Sequence, residues 1–198
     1  MRSTNKLNKV IWLLITQTIL KLCFAEISER AILFFPLQID NPRSISIGKK
    51  VFISNDAWIA GGKDSSEVSL RIDDYTRIGH FFHCIGLHNV HIGKSVLIAD
   101  KVFISDSSHR FEDVSIPVFD QGMEQLKAVN IGDESWIGEN VSILGASVGR
   151  HCVIGANSVV TRDIPDYCVA VGSPAKVIKR YDPSKQIWIP VNKGEEYE

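Results

Sequence analysis

The chain has 198 residues, 44% of them hydrophobic, and a formal net charge of −1, values that fit one domain with a continuous core. A charge so near zero lacks the basic excess of a nucleic-acid-binding surface. The four cysteines, Cys23, Cys84, Cys152 and Cys168, form no Cys-x-x-Cys pair and read as the reduced thiols of a cytosolic protein.

Residues 1–24 admit two readings. Arg2, Lys6 and Lys9 precede the apolar run 10–20, and Cys23-Phe24-Ala25 resembles a cleavage site, as in a secretory signal. Against that, Gln17 and Lys21 interrupt the run, which is too short to cross a bilayer. Val10, Leu13, Leu14, Gln17, Leu20 and Phe24 fall at helical spacing. They predict an amphipathic helix capping the open end of a repeat structure. A basic, apolar amino terminus could also rest on the inner face of a membrane. The expected location is therefore cytoplasmic, with room for peripheral membrane contact. Residues 1–44 are taken as this cap and an extended lead-in through Pro36 and Pro42.

From residue 45 a period of six governs the chain. Aliphatic residues recur at Ile47, Ile53 and Ile59, then at Ile72, Ile78 and Cys84 (or its neighbour Ile85), then at Ile92, Ile98 and Ile104. Ile131, Ile137 and Ile143 follow, and then Val148, Ile154 and Val160. Helices repeat every three or four residues and ordinary strands every second one. A strict six fits short flat strands joined by tight corners, with one side chain per strand pointing into a narrow prism. That is a parallel β-helix of about five coils. Between the triplets the steps are 13, 8, 27 and 5. Register thus breaks only after each third strand, and the breaks stack on one corner. Loops gathered on one edge of a solenoid commonly form its binding face. Gly48, Gly79, Gly93, Gly132, Gly138, Gly149 and Gly155 suit corners where backbone packs closely or takes a positive φ.

Residues 60–68 read as a polar loop. Residues 105–128 form a long insertion, of a length that is usually functional or disordered. The domain is expected to span 45–180, with a last strand at Val169–Val171, followed by a loosely held tail at 181–198.

Five elements occur in order: the hexapeptides, a His in the long loop, Trp136-Ile137-Gly138, Ile154-Gly155-Ala156-Asn157-Ser158-Val159-Val160-Thr161, and Gly172-Ser173-Pro174-Ala175-Lys176-Val177-Ile178. Together they resemble the left-handed β-helix acyltransferases, galactoside and maltose acetyltransferases and the O-acetyltransferases of capsule, O-antigen and colanic-acid pathways. The resemblance implies the left hand of the coil, a homotrimer with sites at subunit interfaces, acetyl-CoA as acyl donor, and a sugar or polysaccharide precursor as acceptor. It implies no metal and no nucleic acid.

Site residues follow from the resemblance and from the coil. An alcohol is a poor nucleophile at neutral pH, and imidazole has the pKa to take its proton. His109 stands where the family places that base. Asn89 lies five residues after Cys84, as His109 lies five after Ile104, so both occupy one corner. Asn89 could bind the acceptor or orient the imidazole, or simply sit well in a tight corner. Asp106 could steer His109 through its ring N–H, or form the turn. Carried over from the family, Trp136 would wall the cleft, and Gly138 and Ala156 would meet the pantetheine arm. Thr161 and Arg162 would approach the pyrophosphate, and Lys176 and Lys179 the phosphates of the adenosine end. The segment 143–149 is shorter than the family pattern.

Three alternatives stand beside this reading. One is N-acetylation of an amino-nucleotide sugar. A second is a γ-carbonic-anhydrase-like metal site drawn from His80, His83, His88 and His91. The third is a non-catalytic trimeric scaffold.

Overall fold

The structure is a computed structural model that describes residues 6–191. Its body is a parallel solenoid with three faces. The first face stacks Glu26–Ile27, Ile45–Ile47, Leu70–Ile72, Val90–Ile92 and Val129–Ile131. The second stacks Ile32–Leu33, Phe52–Ile53, Arg77–Ile78, Leu97–Ile98, Trp136–Ile137, Val153–Ile154 and Cys168–Val171. The third stacks Gln38–Asp40, Trp58–Gly61, His83–Gly86, Phe103–Ser105, Ser142–Leu144 and Val159–Val160. Pairing within each stack is parallel and in register, for example Ile78 beside Ile98 beside Ile137.

Every inward position expected from the six-residue period is buried, and Cys84 rather than Ile85 fills the third slot of its turn. At roughly 25 cal/mol per Å² of apolar area, this central column is the main stabilising term of the fold.

The structure adds turns at both ends. Ile27, Leu33 and Ile39 form a complete turn before the first one expected, pairing with Ile47, Ile53 and Ile59. The stretch read as lead-in is therefore already solenoid from Glu26. After Val160, Ile164 and Ala170 begin a further partial turn. The chain then reverses: Lys176–Asp182 and Ile187–Pro190 run antiparallel and extend the second face. Residues 181–190, expected as a loose tail, are thus largely paired strand. Residues 1–5 and 192–198, including Arg2 and Gly194-Glu195-Glu196, lie outside the described residues.

The corners have a repeated construction. At Gly48, Gly79, Gly93 and Gly149 an added Cβ would meet the backbone and carboxylate of Asp74, Asp100, Asp133 and Asp166, one turn on. Those carboxylates accept the N–H of Lys49, His80, Lys94 and Arg150 at 2.7–2.8 Å. Close approach, and not positive φ, therefore requires glycine there. The positive φ falls two residues later, at Lys50, Phe81, Ser95 and His151.

Helix α1 (Lys6–Thr18) closes the amino-terminal end. Trp12 packs on Phe34 and Phe35, and Gln17 donates to the carbonyls of Ser28 and Ala31. Thr16 is fully buried and its hydroxyl accepts the N–H of Leu33 at 3.1 Å. It thereby satisfies a strand-edge donor that a preceding turn would otherwise satisfy. The packed face carries Trp12, Leu13, Thr16, Gln17 and Leu20. Val10 and Leu14, expected on it, are exposed with Leu7 and Ile11 on the opposite side.

Thr16→Val leaves the Leu33 N–H buried without an acceptor. The expected loss is about 1–3 kcal/mol, read as a lower urea midpoint by circular dichroism with an unchanged slope.

Candidate active site

All the register breaks lie at the corner between the third face and the first. The loops around 41–44, 61–69, 86–89, 105–128 and 145–147 stack there in order. They are also bonded to one another. The Gly62 N–H donates to the Ser69 hydroxyl, which donates to the Gly86 carbonyl, both at 2.7 Å. The Asn89 carbonyl accepts the N–H of Val129.

Asp106 is the keystone of this corner. It is fully buried. Its carboxylate accepts the N–H groups of Leu87 (3.0 Å), His88 (2.8 Å) and Asn89 (2.6 Å) and the Ser107 hydroxyl (2.9 Å). With those four donors satisfied, the carboxylate shapes the loop that carries Asn89. The expectation that Asp106 touches substrate or steers His109 gives way to turn formation.

The long insertion leaves as a two-stranded arm, Ser107–His109 antiparallel to Met123–Gln125, with His109 opposite Met123. His109 is exposed, three residues past the Asp106 anchor. Asn89 is exposed on the loop beneath. The structure thus joins Asn89 to Asp106 directly and carries His109 three residues farther, on the arm opposite Met123. Thr161 and Arg162, also exposed, follow Val160 at the same corner, two turns farther along.

The remaining candidates lie elsewhere. Trp136 and Lys179 line one groove of about 380 Å³ on the second face, with His151, Cys152, Val153 and Trp188. Gly138 and Ala156 turn the neighbouring corner from the second face to the third. The Gly138 N–H is bonded to the Ile154 carbonyl, and a Cβ on Gly138 would meet the Ala156 nitrogen at 2.7 Å. Packing between turns accounts for that glycine. Lys176 pairs with Val171 near the same edge. The candidates therefore form two groups, one on either side of the third face, and within one chain the strands of that face separate them.

The other histidines do not assemble. His80 meets Asp100 and His91 meets Asp73. His83 is stacked between Trp58 at 4.4 Å and Phe103 at 4.9 Å. Among the described residues no three His, Cys, Asp or Glu side chains converge as metal ligands would. The buried thiols of Cys84 and Cys152 are not poised nucleophiles: burial pushes Cys84 far up and Cys152 up to about 11, so both stay protonated.

Sequence reasoning missed the Asp106 anchor, whose partners lie 17–19 residues away. It weighed His83 only as a metal ligand and missed its place in the ring stack. The His83 Nε2 is the one buried side-chain nitrogen or oxygen without a hydrogen-bond partner among the described residues.

Comparison with known proteins agrees with this architecture. The repeat described as the hexapeptide repeat of succinyl-transferase matches residues 128–162. WbbJ of Escherichia coli K12, provisionally named a lipopolysaccharide biosynthesis O-acetyl transferase, is 37% identical over 155 residues, 69% of this chain and 79% of WbbJ. Rv3034c of Mycobacterium tuberculosis, provisionally named an acetyltransferase, is 41% identical over 136 residues, 68% of this chain and 44% of that protein. The chain thus matches less than half the length of the mycobacterial relative. Among solved structures, the S84C mutant of AntD, an N-acyltransferase from Bacillus cereus, in complex with dTDP-4-amino-4,6-dideoxyglucose and coenzyme A, shares the fold. Its TM-score is 0.72 at 20% identity, over 86% of this chain and 90% of that one. A maltose O-acetyltransferase from Clostridium difficile 630 gives 0.50 at 28% identity, over 84% and 74%. The fold is that of the hexapeptide-repeat transferases. Within that class, this chain belongs to the hexapeptide-repeat acetyltransferase family.

Two outcomes follow from the site's geometry. Asp106→Ala strands three loop N–H groups and should cost about 2–4 kcal/mol, measured by chemical denaturation. His83 gives a pH signature. Burial lowers its pKa below the ordinary 6.5, so the unfolded chain binds its proton more readily. Its contribution is complete above about pH 6.5 and is lost as pH falls below it. In His83→Phe, urea midpoints at about pH 7.5 and about pH 5.5 should differ less than in the parent.

Proposed function

We propose that the protein is an acetyl-CoA-dependent O-acetyltransferase built on a left-handed coil. Its acceptor would be a sugar hydroxyl in the biosynthesis of a surface polysaccharide: capsule, O-antigen or exopolysaccharide. The observation that carries this reading is the exposed imidazole of His109 at the root of the arm, above the Asp106-anchored loop that presents Asn89. The relation to WbbJ supports the oxygen acceptor.

His109 takes the proton of the acceptor hydroxyl as its oxygen bonds to the thioester carbonyl carbon. The carbon–sulfur bond then breaks, and the imidazolium returns its proton to the departing thiolate. Atoms and charge balance without a covalent enzyme intermediate, in keeping with the protonated thiols of Cys84 and Cys152. Positioning of both substrates and this proton transfer supply the rate. The groove of Trp136, Lys179 and Trp188 has the aromatic walls and a cation suited to an adenosine phosphate end, with the Glu134 carboxylate of its wall held 3.3 Å from His151. Lys176 and the corner at Ala156 continue it toward the third face.

The separation of the two residue groups supports catalysis between chains. In a homotrimer, the His109 corner of one copy would face the Trp136 groove of the next. Phe111, Val114 and Phe119 on the arm are 64%, 98% and 87% exposed, apolar area that a neighbouring copy would cover. The protein would work in the cytoplasm, and among the described residues no helix is long and apolar enough to cross a membrane. The free apolar side of α1, formed by Leu7, Val10, Ile11 and Leu14, suits peripheral contact with the inner membrane. The likeness to AntD favours one second reading, acyl transfer to the amino group of a nucleotide sugar.

His109→Ala should lower kcat about 10²–10⁴-fold with the KM for acetyl-CoA little changed, followed as thiol release in the presence of an acceptor. Full activity in the variant would remove His109 as the base, and absence of thiol release by the parent would leave the scaffold reading standing. Sedimentation should give a trimer, and Phe119→Asp should shift it toward monomer.

A further inference from the structure

One to two turns toward the amino terminus from Asn89, the same corner holds a second recess. It has a volume of about 300 Å³ and is walled by loops 41–44 and 62–65, with Leu22 and Cys23 at its rim. Its charged side chains are Arg43 and Lys63, and no carboxylate lines it. Neither cation belongs to an ion pair among the described residues. The neighbouring Asp64 is tied back to the N–H and hydroxyl of Ser66, at 2.9 and 2.7 Å.

The walls are fixed from beneath. The Asn41 side chain donates to the Gly61 carbonyl at 3.0 Å. The buried Ser44 hydroxyl lies 2.9 Å from the Asn41 carbonyl and 2.7 Å from that of Gly62. A Cβ on Gly62 would strike the Leu87 carbonyl, so the recess rests directly on the loop that Asp106 holds. One continuous bonded edge therefore runs from Arg43 to His109. Stacked strands lie about 4.8 Å apart, so the recess sits roughly 10–15 Å from His109. A sugar joined to a diphosphate bridges such a span.

We infer that this recess binds a phosphate or diphosphate group carried by the acceptor, with Arg43 and Lys63 as its counter-charges and the sugar lying along the corner toward His109. The inference rests on the acetyl-transfer reading only for the identity of the sugar's carrier. A guanidinium grips phosphate oxygens through paired N–H groups, and an ammonium adds a point charge. Two sources share this chemistry. One is a soluble nucleotide diphosphate sugar. The other is a lipid-linked sugar phosphate, for which the exposed Leu22 and the free side of α1 lie close by.

The experiment is calorimetric titration of pyrophosphate, and separately of dTDP, into the full chain, into an R43A/K63A variant and into His109→Ala. Flotation is run in parallel with phosphatidylcholine vesicles made with and without phosphatidylglycerol. The parent and His109→Ala should bind pyrophosphate alike, and R43A/K63A should bind it at least tenfold more weakly at an unchanged melting temperature, both side chains being exposed. Binding of dTDP that is lost in R43A/K63A identifies the nucleotide source. Phosphatidylglycerol-dependent flotation lost in the same variant, with dTDP silent, identifies the lipid source. Absence of pyrophosphate binding by the parent, or equal binding by the variant, overturns the proposal. His109-dependent thiol release with a neutral glycoside is untouched by either result, so failure here is distinguishable from failure of the transfer reading.

Discussion

Everything in this molecule depends on the stacking of turns at strand spacing around a narrow column of buried aliphatic side chains. Backbone hydrogen bonds join each strand to its copies above and below, and each strand buries its residue of the six-residue series, with a second aliphatic side chain buried in first-face strands such as Leu70–Ile72. A residue added anywhere within a turn would rotate the next inward side chain onto the surface. Insertions survive only where a turn is complete, between the third face and the first. The loop-bearing edge is thus a by-product of the packing rule: it is the one line along which this chain is free to vary in length.

The corners show how tight the packing is. A glycine is needed because the aspartate of the next turn sits where its Cβ would be, and that aspartate satisfies the N–H the corner exposes. The left-handed backbone is left to Lys50, Phe81, Ser95 and His151, which bear its modest cost because the stacked neighbours leave no alternative path. Asp106 applies the same device at larger scale, one carboxylate satisfying three consecutive N–H groups. Its burial gives the Asn89 loop a fixed shape, which His109 would need nearby if it acts as the proposed base.

The third face divides the chemistry. On one side stand the imidazole, the Asn89 loop and the Arg43 recess, and on the other the Trp136 groove and the lysines of the terminal hairpin. On the proposed reading each chain would supply half of two sites, and the bare apolar arm lies on the same edge as the imidazole. Catalysis and self-association would then draw on one surface, which ties the loss of either to the loss of both.

The six-residue period, the inward residues and the corner that gathers the loops were legible from sequence, because the interior is too narrow to tolerate any other pattern. The placement of His109 at that corner followed from counting alone. The turn at Ile27, Leu33 and Ile39 kept the period yet escaped notice, since none of its corners carries the glycine that marks later ones and an apolar helix runs directly into it. Only the tertiary structure decided what Asp106 and Gly138 do. Their partners lie on adjacent turns, 16 to 19 residues away, and hydrogen bonds between turns leave no periodic trace. It also decided which side of α1 is packed. Both sides are apolar, and only contact with Leu33 and Phe35 distinguishes them.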